Sequence, residues 1–116
     1  MLAGGLTVGA GAPDPVTLKT TPQVAFAPAT LVVRATILAD VHNRAIEVVA
    51  DSGDFFRSSA IELEGDRAPR TNMFEFRSLP PGNYEVSARL IGDDGRQRAI
   101  ARQEVQIIAS GGERSR

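Results

Sequence analysis

The chain has 116 residues, of which 42% are apolar and 23% charged, and its formal charge is −1. This length suits one domain whose core needs no metal or disulfide, and the balanced charge favours neither a nucleic-acid nor an anionic-membrane partner. The sequence has no cysteine and one histidine, which excludes disulfides, thiol nucleophiles and zinc sites built from cysteines or paired histidines. We therefore expect no cofactor.

The two ends of the chain differ in composition from the middle. Residues 1–14 contain no Lys or Arg and are mostly small and apolar, and the Ala-Gly-Ala triplet at 10–12 has the small-x-small spacing of a signal-peptidase site. We interpret this segment as a flexible leader or a weak signal peptide, with an edge strand as the remaining alternative. It is too short to span a membrane. Residues 110–116 are polar and contain Gly111 and Gly112, and we predict a disordered tail there, which leaves 15–109 as the folded domain.

Between the two ends, apolar and polar residues alternate with period two, and turn residues recur about every ten positions. No window has helical spacing with helix caps. The predicted strands are a broken first strand at 16–20 and 23–26, then 31–39, 45–50, 55–64, 73–77, 84–90 and 98–108. The inward positions predict a core of Leu31, Val33, Ala35, Ile37, Ile46, Val48, Ile61, Leu63, Phe74, Phe76, Tyr84, Val86, Ala88, Leu90, Val105 and Ile107. The pattern predicts an all-β, antiparallel two-sheet sandwich of seven to eight strands.

One segment, residues 74–86, has the pattern F-x-F-x-x-L-x-P-G-x-Y-x-V. It resembles bacterial immunoglobulin-like and fibronectin type III-like modules, and it is similar to carboxypeptidase regulatory-like and Cna-B-type domains. The resemblance implies that Pro81 and Gly82 form the turn between two strands and that Tyr84 opens the second strand. In that position its ring fills the corner of the sandwich and its hydroxyl bonds back to loop backbone. We predict structural roles for these three residues; the resemblance specifies a fold and no particular function.

Two neighbouring features are candidates for binding. Phe55 and Phe56 are adjacent, and successive residues of a strand point to opposite faces, so both rings cannot enter the same core. Either one ring is exposed and contacts a partner, or both rings cap the end of the sandwich. Asp51 and Asp54 enclose the preceding turn and are weak candidates for Ca²⁺, which takes six to eight oxygen ligands; Asp is also favoured in turns for its own backbone hydrogen bonds.

No residue is assigned a catalytic role. His42 lies in a predicted turn, and no serine elbow accompanies it. The leading hypothesis is a non-enzymatic structural or protein-interaction module of an exported bacterial protein, in the periplasm, on the cell surface or secreted. Its partner would be another protein or a neighbouring domain. The alternative is a module that binds carbohydrate or another ligand, for which the absence of tryptophan leaves few rings on which a sugar could stack.

Overall fold

The computed structural model describes residues 14–110, and the predicted leader and tail fall mostly on residues 1–13 and 111–116, outside the described residues. The alternating segments form eight strands, with a single-turn 3-10 helix at Gly65–Arg67. The strands are β1 (Val16–Thr21), β2 (Val24–Phe26), β3 (Ala29–Ile37), β4 (Asn43–Asp51), β5 (Phe56–Glu62), β6 (Thr71–Leu79), β7 (Gly82–Gly92) and β8 (Gln97–Ile108).

The strands form two sheets, one with the order β1-β3-β6 and one with the order β2-β8-β7-β4-β5. This confirms the predicted all-β, two-sheet sandwich. The predicted broken first strand is also present, and its two pieces belong to different sheets because the chain crosses over between Thr21 and Val24. One pair departs from the predicted antiparallel arrangement, since β2 runs parallel to β8.

The core lies between the inward faces of the two sheets, and the central strands β3, β4 and β7 supply most of it. Leu79, which was not predicted in the core, is completely buried. Strand β5 differs most from expectation: Ile61, predicted in the core, is only partly buried, and Ser59 on the same face of the strand is exposed. The smaller sheet has three strands and the larger one five, so β5, at the end of the larger sheet, has no full layer of strands opposite to cover it.

Different loops between the strands lie at the two ends of the sandwich. The antiparallel register brings the β4–β5 turn at 52–55 next to the β6–β7 turn at 80–81, and we call this the hairpin end. The opposite end, which we call the loop end, carries the connections at 38–42, 63–70 and 93–96. The binding and structural candidates from the sequence lie at the hairpin end, whereas His42 lies at the loop end.

Candidate contact surface

The turn between β4 and β5 is closed by its own side chains. Gly53 donates its N–H to Asp51 Oδ1 at 2.8 Å, and Phe55 donates its N–H to Ser52 Oγ at 3.1 Å. The Ser52 N–H donates in turn to the Phe55 carbonyl at 3.0 Å. Asp51 thus acts as a turn-forming residue. Among residues 14–110, no group of three or more His, Cys, Asp or Glu residues is placed to hold a metal ion, so Asp51 and Asp54 gain no further ligand of these types.

The two adjacent phenylalanines diverge at the exit of this turn. The Phe55 ring is partly buried against the core, with its centroid 6.5 Å from that of Tyr84 and the two planes at 77°. The Arg57 guanidinium carbon lies 5.2 Å from the centroid of the Phe55 ring, within the range of a cation–π contact. Phe56 points to the outer face of the larger sheet and is 59% exposed. Of the pair, Phe56 is the ring available to a partner.

Tyr84 holds the two turns of the hairpin end together. It is 1% exposed, and its hydroxyl donates to the Pro80 carbonyl at 2.8 Å. Burial raises the pKa of Tyr84, and the Ser52 hydroxyl and the Arg57 charge partly oppose this. Gly82 permits the close approach of the two turns, because a Cβ at that position would lie 3.1 Å from Ser52 Cβ. The structure thus places Tyr84 against Phe55 and Gly82 against Ser52, while Pro81 is exposed.

Strand β5 forms one end of the larger sheet, and its outer edge has no strand partner among the described residues. Two backbone hydrogen bonds set the phase of the β4–β5 ladder: Leu63 N–H to the Arg44 carbonyl at 2.8 Å, and Ser52 N–H to the Phe55 carbonyl. Hydrogen-bonded and non-hydrogen-bonded pairs alternate in an antiparallel ladder, so Arg57, Ser59 and Ile61 bond to β4. The residues between them direct their N–H and C=O groups away from β4. We call Phe56, Ser58, Ala60 and Glu62 the open edge.

A second exposed aromatic ring lies on β2, the opposite edge strand of the same sheet. Phe26 on β2 is 64% exposed. Its cross-strand partner Ile108 and its strand neighbour Val24 are exposed beside it. Sequence reasoning did not single out Phe26, although period-two alternation from the partly buried Ala25 places it outward. Strand β2 has only three residues and lies between Pro22 and Pro28, which lack the N–H that a longer edge would present.

The outer face of the larger sheet carries an open groove of about 710 Å³ at the hairpin end. Cross-strand register places Asp51, Glu85 and Glu104 in one row across β4, β7 and β8, and Arg102 Nε lies 3.9 Å from Glu85 Oε2. The aromatic residue that lines the groove is Tyr84, whose ring is buried and offers no face for a sugar to stack on. The groove is therefore acidic and polar rather than aromatic.

The loop end holds a polar cluster that joins distant parts of the chain. The Arg98 guanidinium donates to Asp40 Oδ2 at 3.0 Å and also to the side-chain carbonyl of Asn43, which is completely buried. Nearby, His42 Nδ1 lies 2.8 Å from Asp93 Oδ2, and both side chains are exposed. A hydrogen bond from the His42 backbone N–H, helped by the Arg98 charge, lowers the pKa of Asp40. The hydrogen bond with the His42 ring lowers the pKa of Asp93. No local pattern in the sequence signals these long-range pairs.

No family model matches the chain, and neither does any curated protein. Solved structures do. The fibronectin(III)-like modules of Clostridium thermocellum CbhA superpose with a TM-score of 0.55 at 19% identity, over 82% of this chain and 98% of that one. The PKD domain of an M14-like peptidase from a Thermoplasmatales archaeon gives 0.54 at 19% identity, over 84% and 99%. A superoxide reductase (neelaredoxin) from Ignicoccus hospitalis gives 0.52 at 15% identity, over 81% and 80%.

These likenesses define a fold. The chain has an immunoglobulin-like β-sandwich fold, which is the fold that the resemblance of residues 74–86 implied. At these identities the likeness carries no activity from one protein to another. In the described part of the chain, no helix is long and apolar enough to cross a membrane.

Proposed function

We propose that this chain is a non-catalytic interaction module that contacts another protein through Phe56 and the open edge of β5. The observation that carries the proposal is the exposure of Phe56, 59%, on a strand whose outer backbone groups have no strand partner in the described structure. Aromatic residues, phenylalanine among them, are enriched at protein interfaces relative to the rest of the surface. An unpaired strand edge adds main-chain hydrogen bonds as a second source of affinity.

The hairpin end is built to hold this surface in place. Phe55 anchors the start of β5 to the core through Tyr84, and the Ser52 hydroxyl accepts the Phe55 N–H. The neighbouring Phe56 therefore projects from a fixed backbone, so binding would require little ordering of the strand. Rigid placement of an exposed ring supports a contact role over incidental exposure.

A non-catalytic role is supported by the surroundings of the single histidine. His42 is exposed and pairs with Asp93, and no side-chain hydroxyl of the described residues is hydrogen-bonded to its ring. An arrangement for nucleophilic catalysis would place a hydroxyl within hydrogen-bond reach of the base. The proposal includes an exported or surface location, supported by the leader-like composition of residues 1–12.

Site-specific photo-cross-linking in the parent cell tests the contact. A benzoylphenylalanine replaces Phe56 in one variant, and Phe26 or Met73 in two matched controls that are similarly exposed, at 64% and 53%. We expect a discrete protein adduct from position 56 and none from the controls. An absence of adducts at position 56, or adducts from position 26 alone, would refute the proposed surface.

A further inference from the structure

The open edge of β5 matches a second copy of itself. We propose that two copies of this chain pair antiparallel through β5, so that their five-stranded sheets join into one continuous sheet. This inference rests on the proposed function, because it uses the same surface and names the partner. Its structural basis is the spacing of the free backbone groups, which fall on alternate residues from Phe56 to Glu62.

One register uses every free group of the edge. When the twofold axis passes beside Ser59, Phe56 lies opposite Glu62 of the second copy and Ser58 lies opposite Ala60 of the second copy. Each of the four open-edge residues then forms a hydrogen-bonded pair, with two hydrogen bonds per pair. Moving the axis to Ser58 or to Ala60 keeps the phase but leaves one residue of each edge unpaired. The Ser59-centred register is therefore the most complete one.

The charges of β5 suit this arrangement. The strand has one positive side chain, Arg57, near its start and one negative side chain, Glu62, at its end. Antiparallel pairing places Arg57 opposite Ile61 and Glu62 opposite Phe56 of the other copy, with the two charges on opposite faces of the sheet. The two Glu62 residues lie six positions apart along the paired strands, about 20 Å at the usual rise per residue, and the two Arg57 residues lie about 14 Å apart. No like charges of β5 stand opposite one another.

A second copy of the chain is a better partner for this edge than a flexible peptide. The β5 strand of the second copy is already ordered against its own β4, so pairing does not require an extended segment to lose conformational freedom.

The other edge strands of the two sheets are less suited to pairing than β5. Strand β2 is short and lies between prolines, and β1 carries Lys19 and is followed by Pro22, features that discourage edge pairing. The register of β6 with β3 is interrupted by a bulge, and Ser78 on β6 has a φ of +59°. Strand β5 has neither proline nor lysine.

Single-cysteine variants test the register directly, because the chain has no cysteine of its own. Opposed residues of a non-hydrogen-bonded pair have Cα atoms about 4.5 Å apart, within the range for a disulfide. Ser59→Cys therefore places two thiols within bonding distance. In the matched control Ser58→Cys, the Cα atoms of the two cysteines lie about 8 Å apart, beyond the range for a disulfide. Both serines are exposed, so neither substitution disturbs the core.

Under mild oxidation we expect Ser59→Cys to form a disulfide-linked dimer and Ser58→Cys to form no disulfide link. We expect the wild-type chain to show a concentration-dependent dimer in sedimentation equilibrium. Ala60→Pro should abolish that dimer with an unchanged circular dichroism spectrum, since its N–H faces away from β4. Should the proline disturb the strand, Ser58→Lys serves the same purpose by placing a charge on the edge.

A monomeric wild-type chain at millimolar concentration, or equal cross-linking of the two cysteine variants, would overturn the pairing. The failure of this inference is distinguishable from that of the proposed function. Adducts from position 56 with a different protein, together with no disulfide from Ser59→Cys, would overturn self-pairing while the contact surface stands. Absence of any adduct from position 56 would refute both the proposed contact surface and the pairing of two copies.

Discussion

Removing the hydroxyl of Tyr84 measures how strongly the two turns of the hairpin end are joined. In Tyr84→Phe the ring stays in place, and only the hydrogen bond to the Pro80 carbonyl at 2.8 Å is lost. A neutral hydrogen bond contributes about 1 kcal/mol net, and a fully buried acceptor without a partner costs about 1–3 kcal/mol. Because this hydrogen bond is only partly buried, we expect a loss of about 1–2 kcal/mol.

Urea denaturation followed by circular dichroism gives this value, with the slope m as a check that both variants unfold from the same compact state. The melting temperature should fall by about 4–8 °C per kcal/mol for a domain of this size. Tyr84→Leu is the comparison, since it also removes the ring contact with Phe55 and should cost clearly more. A Tyr84→Phe variant as stable as the wild type would refute the joining role of the hydroxyl.

Three further outcomes follow from the same structure. Phe56→Ala should lower the free energy of unfolding by less than about 1 kcal/mol, as at other exposed positions. Phe55→Ala should lower it by about 2 kcal/mol, because the Phe55 ring is partly buried against the core. Equal losses in urea denaturation would contradict the different surroundings of the two rings. The pKa values of Asp40 and Asp93 are lowered in the folded state, so these carboxylates stabilise it above the usual carboxyl pKa of 3.8, and the stabilisation is lost as the pH falls below that value. Asp40→Asn should therefore weaken the acid dependence of the melting temperature. An unaltered pH profile would contradict the contacts of Asp40 with His42 and Arg98. Millimolar Ca²⁺ should leave the melting temperature unchanged, because Asp51 already accepts the Gly53 N–H. A ligand that binds the folded state raises the melting temperature, so a rise would contradict this and support a calcium site at Asp51 and Asp54.

Local patterns were enough to predict the strands and most of the core. Alternation from Leu31 to Ile37 and from Tyr84 to Leu90 reports directly which side chains face inward, because each of these strands lies between partners in the middle of a sheet. The adjacency of Phe55 and Phe56 left two arrangements open, either one exposed ring or two rings that cap the sandwich. The structure distinguishes them, because Phe55 is partly buried against the core and Phe56 is exposed.

Features that depend on strand order could not be predicted in this way. The exposure of Ser59 follows from the unequal number of strands in the two sheets, and no local pattern encodes that number. The row of Asp51, Glu85 and Glu104 exists only once β4, β7 and β8 are aligned in register. The bond between Arg98 and Asn43 joins residues far apart in the chain, so it too becomes visible only in the folded molecule.

Amide hydrogen exchange along β5, resolved residue by residue by NMR, tests the open edge most directly. In dilute solution, the amides of Arg57, Ser59 and Ile61 should exchange slowly, because they bond to β4, and those of the open edge should exchange fast. As the protein concentration rises, the open-edge amides should become slow too, since the second copy then bonds to them. Uniform exchange along β5 in dilute solution would contradict the alternation, and open-edge amides that stay fast at every concentration would contradict pairing at this edge.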